Sequence, residues 1–91
     1  MSLHNLRKLS QRLNLPPLIG NFREVKEAEL IRYEKLKELP WFEENWDIFL
    51  SELDVRFLSE DCLRQLKLSD DAKFWLDNRE LDFWELLEFF Y

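Results

Sequence analysis

The residues able to do acid–base or nucleophilic chemistry are few in this chain and poorly spaced for it. Adjacent carboxylates occur at Glu43-Glu44, Glu60-Asp61 and Asp70-Asp71, and two acids facing each other across a cleft can divide the general-acid and general-base steps of a hydrolysis. Each of these pairs falls at an expected helix start, where solvent and the positive end of the helix dipole already account for it. His4 is the single histidine. It lies on the polar face of the first expected helix, near a fraying terminus, so a Ser–His or Cys–His couple has no firmly held base. Cys62 is the single cysteine. No basic cluster adjoins it to lower its pKa, and it reads as a small buried apolar residue.

Metal and phosphate chemistry fare no better. Zinc needs further Cys or His ligands, a di-iron bundle needs Glu-x-x-His pairs, and calcium needs an acidic twelve-residue loop with a central glycine. None of these patterns occurs, and Gly20 is the only glycine. A phosphate-cradling loop needs several, so that the backbone can approach the ligand. No catalytic, cofactor-binding or metal-ligating residue is therefore expected, and the chain reads as non-enzymatic.

What remains is binding. The 91 residues suit one domain, 1–91, with 46% hydrophobic and 35% charged side chains, a globular composition. A single cysteine permits no internal disulfide, and no apolar run approaches the ~18 residues of a membrane span. With no signal-peptide pattern at its start, the expectation is a cytoplasmic protein that does not enter a membrane. The net charge of −6 conceals two opposite halves. Residues 1–40 carry eight Lys or Arg against five Glu, and residues 41–91 carry five Lys or Arg against fourteen acids. That asymmetry argues for a protein partner with a basic surface, or for internal pairing, and against direct nucleic-acid binding by the whole chain. The basic residues Arg7, Lys8, Arg12, Arg23 and Lys26 also lack interleaved aromatics for stacking on bases.

The elements that must position these groups read as helices. Scarce turn residues and the absence of Thr favour an all-α fold, a compact bundle of five to six helices. Ser2 caps a first helix with Leu3, Leu6, Leu9 and Leu13 on one stripe, and Pro16-Pro17 breaks the chain after it. Asn21 and Glu24 have capping-box spacing for a second helix to about Leu39, with Phe22, Val25, Ala28, Tyr33, Leu36 and Leu39 inward. Glu29 and Arg32 interrupt that face and read as a solvated or half-buried ion pair of small net value. Pro40 suits the first position of a third helix, from Trp41 to about Leu53, with Phe42, Trp46, Phe49, Leu50 and Leu53 inward and Trp41 and Ile48 on the far side. Residues 53–57 alternate like a short extended connector that plugs the core.

Ser59 then caps a helix to about Lys67, and Ser69 with Asp70 and Asp71 starts another that ends near Asn78. Asp82 and Glu85 have capping-box spacing for a terminal helix, although a single helix over residues 70–90 fits the pattern too. Phe83, Leu86, Leu87 and Phe90 then face inward, Asp82, Glu85 and Glu88 outward, and Phe89 falls beside the acidic stripe.

Twelve of the fourteen aromatics share residues 41–91 with the fourteen acids. Rings that escape the core could fill pockets on a partner while the acids steer it. The expected contacts are Trp41, Ile48 and Phe89, rimmed by Glu44, Glu52, Glu85 and Glu88. The expected function is an acidic helical inhibitor or adaptor, of the inhibitor, immunity or phage-antagonist type, docking on a basic surface. The alternative is a structural subunit of a homo-oligomer or larger complex. Leu86-x-x-Phe89-Phe90 also resembles the apolar part of the motif by which many replication proteins bind the sliding clamp, with Phe83 where that motif usually has glutamine. The resemblance covers only the end of the chain and implies a groove-binding terminal helix.

Overall fold

A computed structural model describes residues 2–48 and 60–90. Its helices are α1 (Leu3–Arg12), α2 (Phe22–Leu36), α3 (Leu39–Glu44), α4 (Glu60–Lys67), α5 (Ala72–Asp77) and α6 (Phe83–Glu88). Residues 46–48 are also helical, beyond a break at Asn45. The fold is all-α. The expected connector at 53–57, the Ser59 cap and Glu52 lie outside the described residues.

Local chemistry accounts for the helix ends. The Ser2 hydroxyl accepts the Asn5 N–H, and Asn21 with Glu24 and Asp82 with Glu85 form reciprocal capping boxes. At the end of α1, Asn14 takes a left-handed conformation with φ of 60°. The Leu15 N–H then donates to Ser10 O and the Asn14 N–H to Gln11 O, a Schellman closure that uses an Asn in place of glycine. The helix is finished before Pro16 is reached. Asn78 closes α5, and Asp82 starts α6 afresh, so residues 70–90 form two helices.

Several boundaries differ from the sequence reading. α2 stops at Leu36, not Leu39, and α3 begins one residue before Pro40. A continuous helix from Trp41 does not form. The Asn45 side chain and its backbone N–H both bond to the Trp41 carbonyl, which closes the turn. The cap of α5 is Asp71, which accepts from the Lys73 N–H, while Ser69 serves otherwise: its carbonyl accepts the Trp75 Nε1–H at 2.9 Å. Buried Trp75 needs that partner for its indole.

α2 is the centre of the packing, lying against α1 and α5, while α4 packs on α6. The α2–α5 contact is pinned by a two-bond bridge in which Ile19 N–H donates to Asp70 O and Ala72 N–H donates to Ile19 O. Gly20 is required there, because a Cβ on it would stand 3.0 Å from that of Ala72. This approach holds the first turn of α2 at the rim of the contact. Phe22, expected in the core, is consequently 72% exposed. On the far side α3 joins α6 by stacking Phe42 on Phe83, with ring centroids 4.5 Å apart, and Trp46 on Trp84 at 6.5 Å. The Cys62 thiol is buried as expected and donates to the Phe90 carbonyl at 3.3 Å, tying α4 to the end of the tail.

The largest departure concerns Glu29 and Arg32, which are 1% and 0% exposed. Arg32 Nη2 reaches both Glu29 oxygens at 3.1 and 3.2 Å, Nη1 donates to the Pro16 carbonyl at 2.7 Å, and the Ser10 hydroxyl donates to Glu29 Oε2 at 2.9 Å. The pair is not solvated; α1 and the proline connector close over it. Burial pushes the Arg32 pKa down, and the charges of Glu29 and Asp70 oppose that shift. Arg32 Nε has no hydrogen-bond partner among the described residues, so the network there is not fully satisfied.

Two outcomes follow for thermal and urea denaturation. Removing one partner, as in Glu29→Leu, strands a buried guanidinium and should cost about 3–5 kcal/mol, whereas Glu29→Leu combined with Arg32→Met should recover most of that loss. Gly20→Ala should destabilise by about 1–3 kcal/mol by forcing α2 from α5.

Candidate docking surface

Helix phase and burial together select what the terminal segment exposes. In α6, Phe83, Leu86 and Leu87 are buried and Phe90 is half-buried against the core. Phe89, the residue after the helix, is 55% exposed. Its ring leans edge-on against Phe74 of α5 at 5.7 Å, which fixes the side chain without covering it. Leu81, Glu85, Glu88 and Phe89 line a shallow depression of about 300 Å³. Phe89 also borders a second depression formed with Ser69, Asp70, Asp71, Phe74 and Phe90. One half-exposed ring thus stands among four carboxylates drawn from the start of α5 and from α6.

The expected contact residues do not form one patch around it. Glu85, Glu88 and Phe89 come together. Trp41 is exposed but attached elsewhere, edge-on to Phe42, which in turn stacks on Phe83 at the opposite end of α6. Glu44 and Ile48 are also exposed and belong to the chain around Trp41, while Glu52 lies outside the described residues. Two exposed aromatic positions therefore flank α6, one at each end.

The residues considered for chemistry have structural occupations. Asp61 pairs with Arg64, Glu43 pairs with Lys67 at 2.7 Å, and Asp71 caps α5. His4 is exposed on α1. Glu29, the one buried carboxylate among the described residues, is held by Arg32 and the Ser10 hydroxyl. No group of three or more His, Cys, Asp or Glu side chains suited to a metal ion occurs among the described residues. No helix among them is long and apolar enough to cross a membrane.

Two features were invisible from the sequence. A cleft of about 440 Å³ between α3 and α4 is lined by Trp46, Leu63, Arg64 and Lys67 among others, and the buried Trp46 Nε1–H has no hydrogen-bond partner among the described residues. Its cations are already paired, and the indole nitrogen is closed to solvent, so the cleft presents little to a ligand. The second is a groove of about 460 Å³ between α1 and α2, lined by Leu6, Arg23, Lys26, Glu27 and Leu30. Only the pairing of α1 with α2 creates it.

The division of the tail into core and surface is directly testable. Phe89→Ser should shift stability by less than about 1 kcal/mol, while Leu87→Ala should cost about 2–5 kcal/mol, both read from denaturation midpoints. Comparison with protein-family models, with curated proteins and with solved structures finds no match, so function has to be argued from this chain's own residues.

Proposed function

We propose that this chain is a non-enzymatic protein-binding factor, an acidic helical inhibitor or adaptor whose face around Phe89 docks on a basic partner. The observation that carries this reading is the exposure of Phe89 at 55% in a segment where Phe83, Leu86 and Leu87 are buried, with Glu85 and Glu88 beside it. A half-exposed ring held by one edge contact can enter a pocket with little ordering cost. The surrounding carboxylates steer approach to a cationic surface and set orientation. Trp41 and Ile48 offer a further contact region at the other end of α6. The single buried thiol suits a reducing compartment such as the cytoplasm.

The clamp-like version of the tail fits the packing less well. Leu86 is 1% exposed and anchors α6. A groove on a partner could receive Leu86 together with Phe89 and Phe90 only if the helix left the core.

The test is affinity capture from the source organism with two baits, the wild-type chain and a Phe89→Ser, Glu88→Lys variant, which leaves the Asp82–Glu85 capping box intact and whose thermal transition is matched to the wild type beforehand. A basic protein retained by the wild type, lost from the variant and released as salt rises is the expected outcome. Equal capture by both baits would overturn the assignment of this face.

A further inference from the structure

The described surface also carries a groove whose rim is mainly basic. The groove between α1 and α2 has an apolar floor at Leu6 and a rim formed by Arg23, Lys26, Glu27 and the 45% exposed Leu30. Neither Arg23 nor Lys26 forms an ion pair among the described residues. Lys8 and Arg12 add exposed positive charge on α1. Phe22, Lys26 and Leu30 recur at four-residue spacing, so one exposed line along α2 alternates apolar and basic groups. The aromatic missing from the basic residues in the sequence reading is thus supplied by Phe22, which the packing leaves outside.

We propose that this groove receives the Phe89 face of a second copy of the same chain. The proposal rests on the reading of that face as a docking surface and names a further occupant for it. The two surfaces are complementary in kind. One presents a ring flanked by Glu85 and Glu88, of which Glu88 makes no ion pair among the described residues; the other presents an apolar floor flanked by Arg23 and Lys26. A phosphate backbone suits the groove less well, because the exposed Leu30 on its rim would be left against phosphate, whereas Phe89 offers it an apolar partner.

Like net charge does not forbid the contact. At physiological salt the Debye length is ≈ 8 Å, so charges meeting across the contact act on one another while the more distant acids of both copies are largely screened. The contact joins two different patches, so it is heterologous, and a copy with one patch blocked can still cap another. That asymmetry gives a strong test.

Sedimentation velocity on the full chain at about 0.15 M and about 1 M salt measures the association, since the Debye length falls to roughly 3 Å at the higher value. The expected result is concentration-dependent association at the lower salt that weakens at the higher. Leu30→Glu places an acid in the groove and Phe89→Glu replaces the inserted ring, both at exposed positions, so each variant alone should remain monomeric. An equimolar mixture should form a 1:1 dimer and stop there, because the groove of the Phe89→Glu chain and the ring of the Leu30→Glu chain are the only compatible pair left. Should either variant lose its thermal transition, Glu85→Gln with Glu88→Gln leaves the core untouched and should weaken the association at 0.15 M.

A wild-type chain monomeric at every concentration, variants that associate as the wild type does, or a mixture that stays monomeric would each overturn the proposal. These outcomes are separate from the fate of the reading in which a different, basic protein docks on the Phe89 face. A monomeric wild type that still captures a basic protein through Phe89 removes only the self-contact, and self-association with indifferent capture removes only the other partner.

Discussion

The Glu29–Arg32 pair is the interaction on which the arrangement of the amino-terminal half depends. Its groups come from α2, but its remaining hydrogen-bonding capacity is met from elsewhere: Ser10 on α1 and the Pro16 carbonyl in the connector. Two charges withdrawn from water repay that loss only when geometry and added hydrogen bonds compensate them. The compensation here is tertiary. Moving α1 away costs Glu29 Oε2 its Ser10 hydroxyl, and another course of the connector costs Arg32 Nη1 its Pro16 carbonyl. A greasy contact between two helices tolerates sliding, whereas this one specifies a position. Arg32 Nε, without a hydrogen-bond partner among the described residues, lowers what the network adds to stability.

From that fixed corner the rest of the packing follows. The Schellman closure at Asn14 and the proline connector deliver Ile19 to the start of α5, and Gly20 permits the close approach to Ala72. α5 brings Phe74, and Phe74 supplies the edge against which Phe89 rests. The pose of the exposed ring at one end of the chain is thereby linked to the course of the connector near the other. On the far side, the stacks of Phe42 on Phe83 and Trp46 on Trp84 seat α3 on α6, which leaves Trp41 outward.

The resulting surface is divided by charge. α1 and α2 present bases beside a groove with an apolar floor, and the start of α5 with α6 presents acids around a single ring. A uniformly acidic protein would repel its own copies and attract only cations. A divided one can engage partners of either sign, its own copies included.

Much of this was legible in the chain itself. Ser2, Asn21 with Glu24, and Asp82 with Glu85 declare helix starts because capping is a local hydrogen-bonding problem solved within four residues. The inward set Phe83, Leu86, Leu87 and Phe90, the outward acids and the exposure of Phe89 follow from helical phase alone. What the sequence could not decide was which elements lie against which face. Glu29 and Arg32 look like a surface pair until α1 covers them. Phe22 looks like core until the Gly20–Ala72 contact sets the edge of the α2–α5 interface. The groove beside Leu30 exists only once α1 and α2 are side by side. Local hydrogen bonding and periodicity act over a few residues and are written in order along the chain. Burial is a property of neighbours that the chain brings together from far apart, and only the tertiary structure assigns it.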